Sequence, residues 1–361
     1  MADSHALMLE HFREQASLCE TYGSPLTGRL CARFANDFEA GGPTATLLAT
    51  WPGRPRVDAV AMRLCGALHA AVLGRRDPTL IAQYPEHRPD WNIDALWPVA
   101  RDFLAREAAW VAEFIRSPPQ TNEVRRSIAL LAGFLAFANT FDGEIDTLEI
   151  GASAGLNLNW DRFNYRTDGW SWGPASSVAV STSWQGPPPP LSAAPRIRSR
   201  AACDLNPLDL ADPAQRLQLR SYIWADQRER LARFDAAADL AIARDQRVER
   251  ADAATWLESR LARRPAHGAT IVYHSVFLQY PPPPTRRAII AAIEAAGSNA
   301  TASAPVAWLR LEPEAMFGGP RDSIRFLVEL ITWPGAHRRL LAISDGHVRE
   351  VEAMPDLASS T

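Results

Sequence analysis

Four groups of residues in this chain have side chains suited to chemistry, and each closes a stretch that reads as a β-strand. The first is Glu149, followed by the small-residue turn Gly151-Ala152-Ser153-Ala154-Gly155. The others are Asp204-Leu205, Asp252-Ala253 and His274-Ser275. Open parallel sheets bind ligands beyond the carboxyl ends of their strands, so acids and a histidine at successive strand ends converge on one place. Glycines at 151 and 155 suit a backbone that turns tightly or lies close to a ligand.

That turn admits three readings. A dinucleotide fingerprint needs glycine at its third position, where Ser153 stands, and an acid about 20 residues further on. Glu149 at the mouth of the turn would also repel a pyrophosphate, by roughly 1–4 kcal/mol per close charge pair in solvent-like surroundings. The literal pattern Gly151-Ala152-Ser153-Ala154-Gly155 also fits the elbow of a serine hydrolase, with Asp252 and His337 or His347 to complete the order. Such a fold needs strands ahead of its elbow, and the sequence ahead of residue 140 reads as helices. The third ligand is S-adenosylmethionine. An acid at the first strand end suits its cationic methionine part, and an acid at the second can accept both ribose hydroxyls. A third, near the next strand end, can meet the adenine amino group. Glu149, Gly151 to Gly155, Asp204 and Asp252 supply each.

The elements that position these groups follow from periodicity. Ala6–Tyr22, Thr27–Glu39, Val57–Leu73, Ile93–Ile115 and Asn122–Asn139 carry apolar residues at helical spacing, and turn-rich breaks separate them. Leu156–Phe163 reads as a helix leaving the glycine turn. Tyr165–Trp184 changes to aromatic and β-branched residues broken by Asp168-Gly169 and Gly173-Pro174, which suggests a hairpin or two short strands. Gly186 and the four prolines that follow form a stiff connector. Strands are expected over Arg196–Leu205, Arg247–Ala251, Ala269–Phe277 and Pro305–Leu311, with helices between them. Two long β stretches, Ser323–Thr332 and Arg338–Ser344, close the chain as a hairpin, with a short run at His347–Val351. Strand–helix alternation then a hairpin implies a mainly parallel sheet with antiparallel edge strands.

The order Leu148-Glu149-Ile150-Gly151-Ala152-Ser153-Ala154-Gly155, Cys203-Asp204-Leu205-Asn206-Pro207, Ala251-Asp252-Ala253 and Val272 to Tyr280 resembles successive motifs of Rossmann-like S-adenosylmethionine-dependent methyltransferases, over residues 145 to about 350. The whole chain resembles the uncharacterised bacterial family called domain of unknown function 2332. That likeness rests on Phe12-Arg13-Glu14-Gln15-Ala16, Gly23-Ser24-Pro25-Leu26, Gln120-Thr121-Asn122-Glu123-Val124, the Gly151–Leu158 run and His274-Ser275. The family likeness implies no established activity. The expected architecture is an α/β fold: the helices read from periodicity ahead of residue 140 make an N-terminal all-helical cap, and the methyltransferase likeness implies a Rossmann-like mixed sheet after it. It gives a helical substrate domain over 1–140 and a cofactor domain over 141–361, with an inserted hairpin and proline-rich segment near 165–195. Two departures stand out: Ser153 replaces the usual middle glycine, and the insert stretches the interval between the first and second acids.

On this reading S-adenosylmethionine is held by Glu149, Gly151, Ala152, Ser153, Gly155, Asp204, Leu205, Asp252, Ala253 and His274. Methyl transfer chiefly needs alignment and proton removal. His274 is the candidate base and Tyr280 a candidate for orienting the substrate. Asn122, Glu123, Arg126, Gln15, Tyr22 and Trp160 are candidates for the substrate pocket. Each has a structural alternative: helix capping for Asn122, Asp204 and Asp252, and core packing for His274 and Trp160. A cofactor-binding protein without transfer, and a serine hydrolase using Ser153, stand as alternatives to the methyltransferase.

Composition limits the partners. The net charge is −3 over 361 residues, and all 38 basic residues among Lys and Arg are arginine. Such a balance gives no reason to expect nucleic acid or an anionic membrane; on the methyltransferase reading the partner is a small-molecule substrate and the chain acts as a monomer or homodimer. Cys19, Cys31, Cys65 and Cys203 show no metal-ligand spacing and read as small buried thiols of a cytoplasmic protein. No metal cluster stands out. The start, Met1-Ala2-Asp3-Ser4-His5, lacks the basic and apolar segments of a signal peptide, and no apolar run approaches the ~20 residues of a membrane span.

Overall fold

The computed structural model describes residues 2–355, so Met1 of the start lies outside it. The chain divides into two compact units: one runs up to Thr121 and includes Ala211–Phe234, and the other comprises Asn122–Leu210 and the chain from Asp235 onward.

The first unit opens with seven helices: α1 (Ala2–Thr21), α2 (Pro25–Glu39), α3 (Pro43–Leu48), α4 (Val60–Leu73), α5 (Pro78–Ile81), α6 (Ile93–Arg106) and α7 (Ala108–Phe114). Their starts are written in capping residues. Ser24 Oγ accepts from Thr27 N with Pro25 in the first turn, and Asp77 and Asn92 cap α5 and α6 in the same way, each satisfying an amide that the helix leaves open. The single helix expected over Ile93–Ile115 breaks at Glu107 into α6 and α7. Phe12, Phe34, Leu64, Leu68, Leu96 and Phe103 form the middle of this unit's core, all fully buried.

The second unit opens with α8 (Arg126–Ala138), which is apolar all round and packs on strands of the sheet. Residues 122–140, expected in the helical cap, therefore belong with the sheet, and the expected boundary near 140 moves to Thr121/Asn122. From α8 the chain enters β1 (Glu144–Ile150), then β2 (Asn164–Arg166), β3 (Ser171–Trp172), β4 (Ala179–Ser181), β5 (Ser183–Gln185) and β6 (Arg196–Asp204). It returns to the first unit for α9 (Pro213–Ser221) and the start of α10 (Arg228–Ala243). The second unit resumes with β7 (Glu249–Arg250), α11 (Ala253–Ala262), β8 (Ala269–Ser275), α12 (Pro283–Ser298), β9 (Val306–Pro313), β10 (Phe326–Trp333), β11 (His337–Ser344) and β12 (Glu350–Ala353).

These strands form a nine-stranded sheet in the order β5-β12-β11-β10-β9-β8-β1-β6-β7, and a small sheet in the order β3-β2-β4. The run β7-β6-β1-β8-β9 is parallel throughout, and β10 and β11 follow as an antiparallel hairpin. The fold is thus mixed α/β with a large, mostly parallel sheet, as expected. Sequence order reverses direction across β1, which makes the gap between β1 and β8 the topological switch point.

A further expected element differs. After the glycine turn the chain forms a 3₁₀ helix, Leu156–Arg162, with non-helical dihedrals at Asn159, and no α-helix. Asn157 and Asn159 are poor helix formers whose short amides compete for backbone groups. The 3₁₀ helix and the small sheet therefore make the crossover to β6.

Alternation along the strands sorts the two faces of the sheet. Thr147, Glu149 and Tyr273 share the α8 face, where the Phe134 ring stacks on Trp160 at 3.9 Å and meets Tyr273 edge-on at 5.1 Å. Leu148, Ile150, Val272 and Trp308 share the other face, against Trp256, Leu257, Ile289 and Ile293 of α11 and α12.

Candidate functional site

Glu149 and Asp204 stand at the carboxyl ends of neighbouring parallel strands, where Ile150 is paired with Cys203. The turn between them is stitched to β6 by Ala152 N donating to Cys203 O (3.1 Å) and Ser153 N donating to Asp204 Oδ2 (2.8 Å). The other Asp204 oxygen accepts from Asn206 N at 2.8 Å. Asp204 is half-buried and holds the turn closed. Gly151, Ser153 and Gly155 all take left-handed dihedrals, at φ 67°, 55° and 73°. Serine at such a position stores strain, a feature that concentrates at functional sites.

Glu149 is only 3% exposed, and its Oε2 accepts from the Tyr273 hydroxyl at 3.1 Å. Burial, helped by the nearby Asp204 carboxylate, pushes its carboxyl up to about 8, against the opposing effect of the Tyr273 hydrogen bond. At neutral pH Glu149 therefore carries a proton, and an arriving cation would favour its release.

The segment before α8 braces the turn from the other side. Asn122 Oδ1 accepts from Leu156 N at 2.8 Å, and Asn157 Nδ2 donates to Glu123 O at 3.3 Å. Glu123 Oε1 accepts from Arg125 N at 3.0 Å. Arg126 reaches the end of β8, donating to Ser275 O, and also to Gly346 O. Asn122, Glu123 and Arg126 thus meet the glycine turn and β8, mostly through backbone groups.

The segment leaving β8 bears on the same place. Val276 takes φ 54°, strained for a β-branched residue, and sends Phe277 over Gly151. A Cβ on Gly151 would sit 2.1 Å from the Phe277 ring. The amides of Phe277 and Leu278 donate to Glu312 Oε1 at 2.8 and 3.1 Å.

His274 does not fit the expected role of base. It is completely buried, on the sheet face opposite Glu149. Its Nε2 accepts from Trp308 Nε1 (2.9 Å), so its proton sits on Nδ1 and is donated to Glu312 Oε1 (2.7 Å). With both ring nitrogens engaged it positions Glu312, and through it the Val276–Leu278 turn. Asp252 caps α11, its Oδ1 accepting from Ala254 N and Thr255 N. Ala253 lies under the sheet in the α11–α12 core. Trp160 is a core residue at 1% exposure. Leu205 and Tyr280 are exposed, at 66% and 73%. Gln15, which donates to Cys19 Sγ, and Tyr22 belong to the first unit. Ser153 Oγ is buried with no hydrogen-bond partner, so it lacks the base that a nucleophile needs.

Among the described residues no three His, Cys, Asp or Glu side chains group as a metal would require, and no helix is long and apolar enough to cross a membrane. All four cysteines are free and buried.

The family described as "Uncharacterized protein conserved in bacteria (DUF2332)" matches residues 9–352. The chain belongs to this family. No curated protein and no solved structure matches the chain. The match spans both units, and two of the sequence blocks that carry the family likeness prove structural in kind. Ser24 caps α2 and donates to Asp226 Oδ1 (2.5 Å), whose other oxygen accepts from Leu26 N. The Gln120–Val124 block supplies the brace on the glycine turn.

Four site residues escaped the sequence reading: Tyr273, Asn157, Phe277 and Glu312. Glu312 had a usable signal, since it is an acid at the tip of a strand like Glu149 and Asp204. The strand was expected to stop at Leu311, one residue short of it.

Proposed function

We propose that this chain binds S-adenosylmethionine at the carboxyl ends of β1 and β6 and is a methyltransferase-like enzyme acting on a small molecule. The observation that carries the reading is the meeting of Glu149 and Asp204 beside a left-handed glycine turn, in a parallel run ordered β7-β6-β1-β8-β9. Glycine-rich turns at such a switch point commonly receive nucleoside ligands. The donor set suits a cation. Glu149 faces the site as a buried acid ready to ionise, and Asp204 keeps acceptor capacity beyond its two amide partners. Glu149, Gly151, Ser153 and Asp204 would hold the cofactor, which when bound supplies an electrophilic methyl group. The chain's own part is to orient it and to exclude water. Phe277 lies over Gly151, so binding requires its ring to turn aside.

A second reading, cofactor binding without transfer, is favoured by the full engagement of His274, which leaves the expected base unavailable. Calorimetric titration of the full chain with S-adenosylmethionine and S-adenosylhomocysteine tests both. Micromolar binding lost on Asp204→Ala in a folded variant supports them, and binding of neither compound rejects both. Release of labelled methyl groups into an acceptor mixture separates the first from the second.

A further inference from the structure

The insert between β1 and β6 builds something that the cofactor reading does not use. In the second unit, the end of β2, the β4–β5 link and the residue before β12 enclose an open cleft of about 420 Å³, together with Arg125 at the start of α8. Arg125, Arg166 and Arg349 line it, along with Ser181, Ser183 and Asp168. In a chain of net charge −3, three guanidinium groups on one cleft are a local reversal of sign.

Their pairing sharpens the point. Among the described residues no carboxylate pairs with the side chain of Arg125 or Arg166, and the Arg125 Nε is buried with no hydrogen-bond partner. Arg166 Nε donates to Asn164 Oδ1 at 2.7 Å, and the residue is exposed where it lines the cleft. Arg349 is fixed through Asp345 at 3.1 Å. A buried guanidinium nitrogen without an acceptor is costly, and an oxyanion repays that cost best because the fork matches its geometry. Arg125 also stands at the N-cap of α8, where the helix dipole favours negative charge. Asp168 lines the same cleft without pairing to these arginines and, with Ser181 and Ser183, can receive hydroxyl groups.

We propose that this cleft binds the phosphoryl group of a small hydroxylated molecule, with Arg125 and Arg166 as its principal ligands and Asp168 receiving a hydroxyl. The proposal does not depend on S-adenosylmethionine binding, since none of the residues lining the cleft belongs to the glycine turn or is among those proposed to hold that cofactor.

Glycerol 3-phosphate serves as the probe, titrated into the full chain at low salt and followed by calorimetry, with glycerol as control. Saturable binding is expected for glycerol 3-phosphate and none for glycerol. Arg125→Gln and Arg166→Gln should each weaken it by roughly tenfold, the loss of one charge-assisted contact. Arg166 is exposed, so Arg166→Gln keeps the fold and remains decisive if Arg125→Gln does not. Absence of saturable binding, or unchanged affinity in Arg166→Gln, overturns the proposal.

Discussion

The Phe277 ring lies so close over Gly151 that a Cβ on the glycine would be 2.1 Å from it. The glycine is required twice over, by this approach and by its φ of 67°. Gly151→Ala should therefore cost about 1–3 kcal/mol of stability, from overpacking plus left-handed strain. In the Gly151→Ala/Phe277→Ala double variant the overpacking part should return while the strain part stays. Denaturant unfolding of the full chain measures both, and a double variant no more stable than the sum of its singles would separate the glycine from the ring.

Phe277 also bears on the proposed cofactor. If its ring must leave Gly151 before a nucleoside enters, part of the binding free energy is spent on displacing it. Phe277→Ala should then bind S-adenosylmethionine several-fold more tightly than the native chain. Weaker binding would make the ring part of the site rather than its cover.

Glu149 gives the second unit a distinctive pH dependence. Its carboxyl is raised to about 8 from 4.5, so the folded state holds a proton that the unfolded chain has lost between those values. The stability from this group is fully present below pH 4.5 and is lost as pH rises through about 8. Glu149→Gln, which keeps the shape and removes the titration, should flatten the decline, on the order of a few kcal/mol across that window. Cofactor affinity should follow the opposite sense. Because a cation favours ionised Glu149, binding of S-adenosylmethionine should strengthen from pH 6 to 8 and release a proton, visible as buffer-dependent binding heat.

Much of the sheet was legible because its strands are apolar runs closed by polar tips, and Glu149, Asp204 and His274 all fall at such tips. Which face each tip presents was not legible. A shift of one residue along a strand reverses the face, and His274 falls opposite Tyr273 for that reason alone. The 3₁₀ helix was hidden because Leu156 and Trp160, four residues apart, fit α-helical spacing, and the asparagines between them decide against the α-helix. The return of Ala211–Phe234 to the first unit leaves no local trace, since it depends on contacts distant in sequence.

His274 yields a prediction that opposes its expected role as base. His274→Ala would strand the Trp308 indole N–H and remove one donor from Glu312, both buried. A loss of roughly 2–4 kcal/mol is expected, in the range for a broken buried hydrogen-bond network with a cavity. Cofactor affinity per folded molecule, measured well below the melting temperature, should change little unless the Val276–Leu278 turn moves. Full stability with abolished methyl transfer would restore His274 as the base.

The first unit carries an acid-sensitive group of its own. His11 is buried, and its Nε2 accepts from Ala61 N at 3.1 Å, a bond that only the unprotonated nitrogen can make. Burial, and then the nearby Arg56 charge, lower it to about 4 from 6.5. The unfolded chain thus takes up a proton on this residue as pH falls through 6.5, whereas the folded unit resists until about 4. Its contribution is present above 6.5 and lost as pH falls through 4, on the order of 2–3 kcal/mol in all. His11→Gln keeps an acceptor near the Ala61 amide but cannot titrate. It should be less stable than the native chain at pH 7 through imperfect packing, and the gap should close or reverse by pH 4.5. A gap independent of pH in urea melts would show that His11 titrates alike in both states.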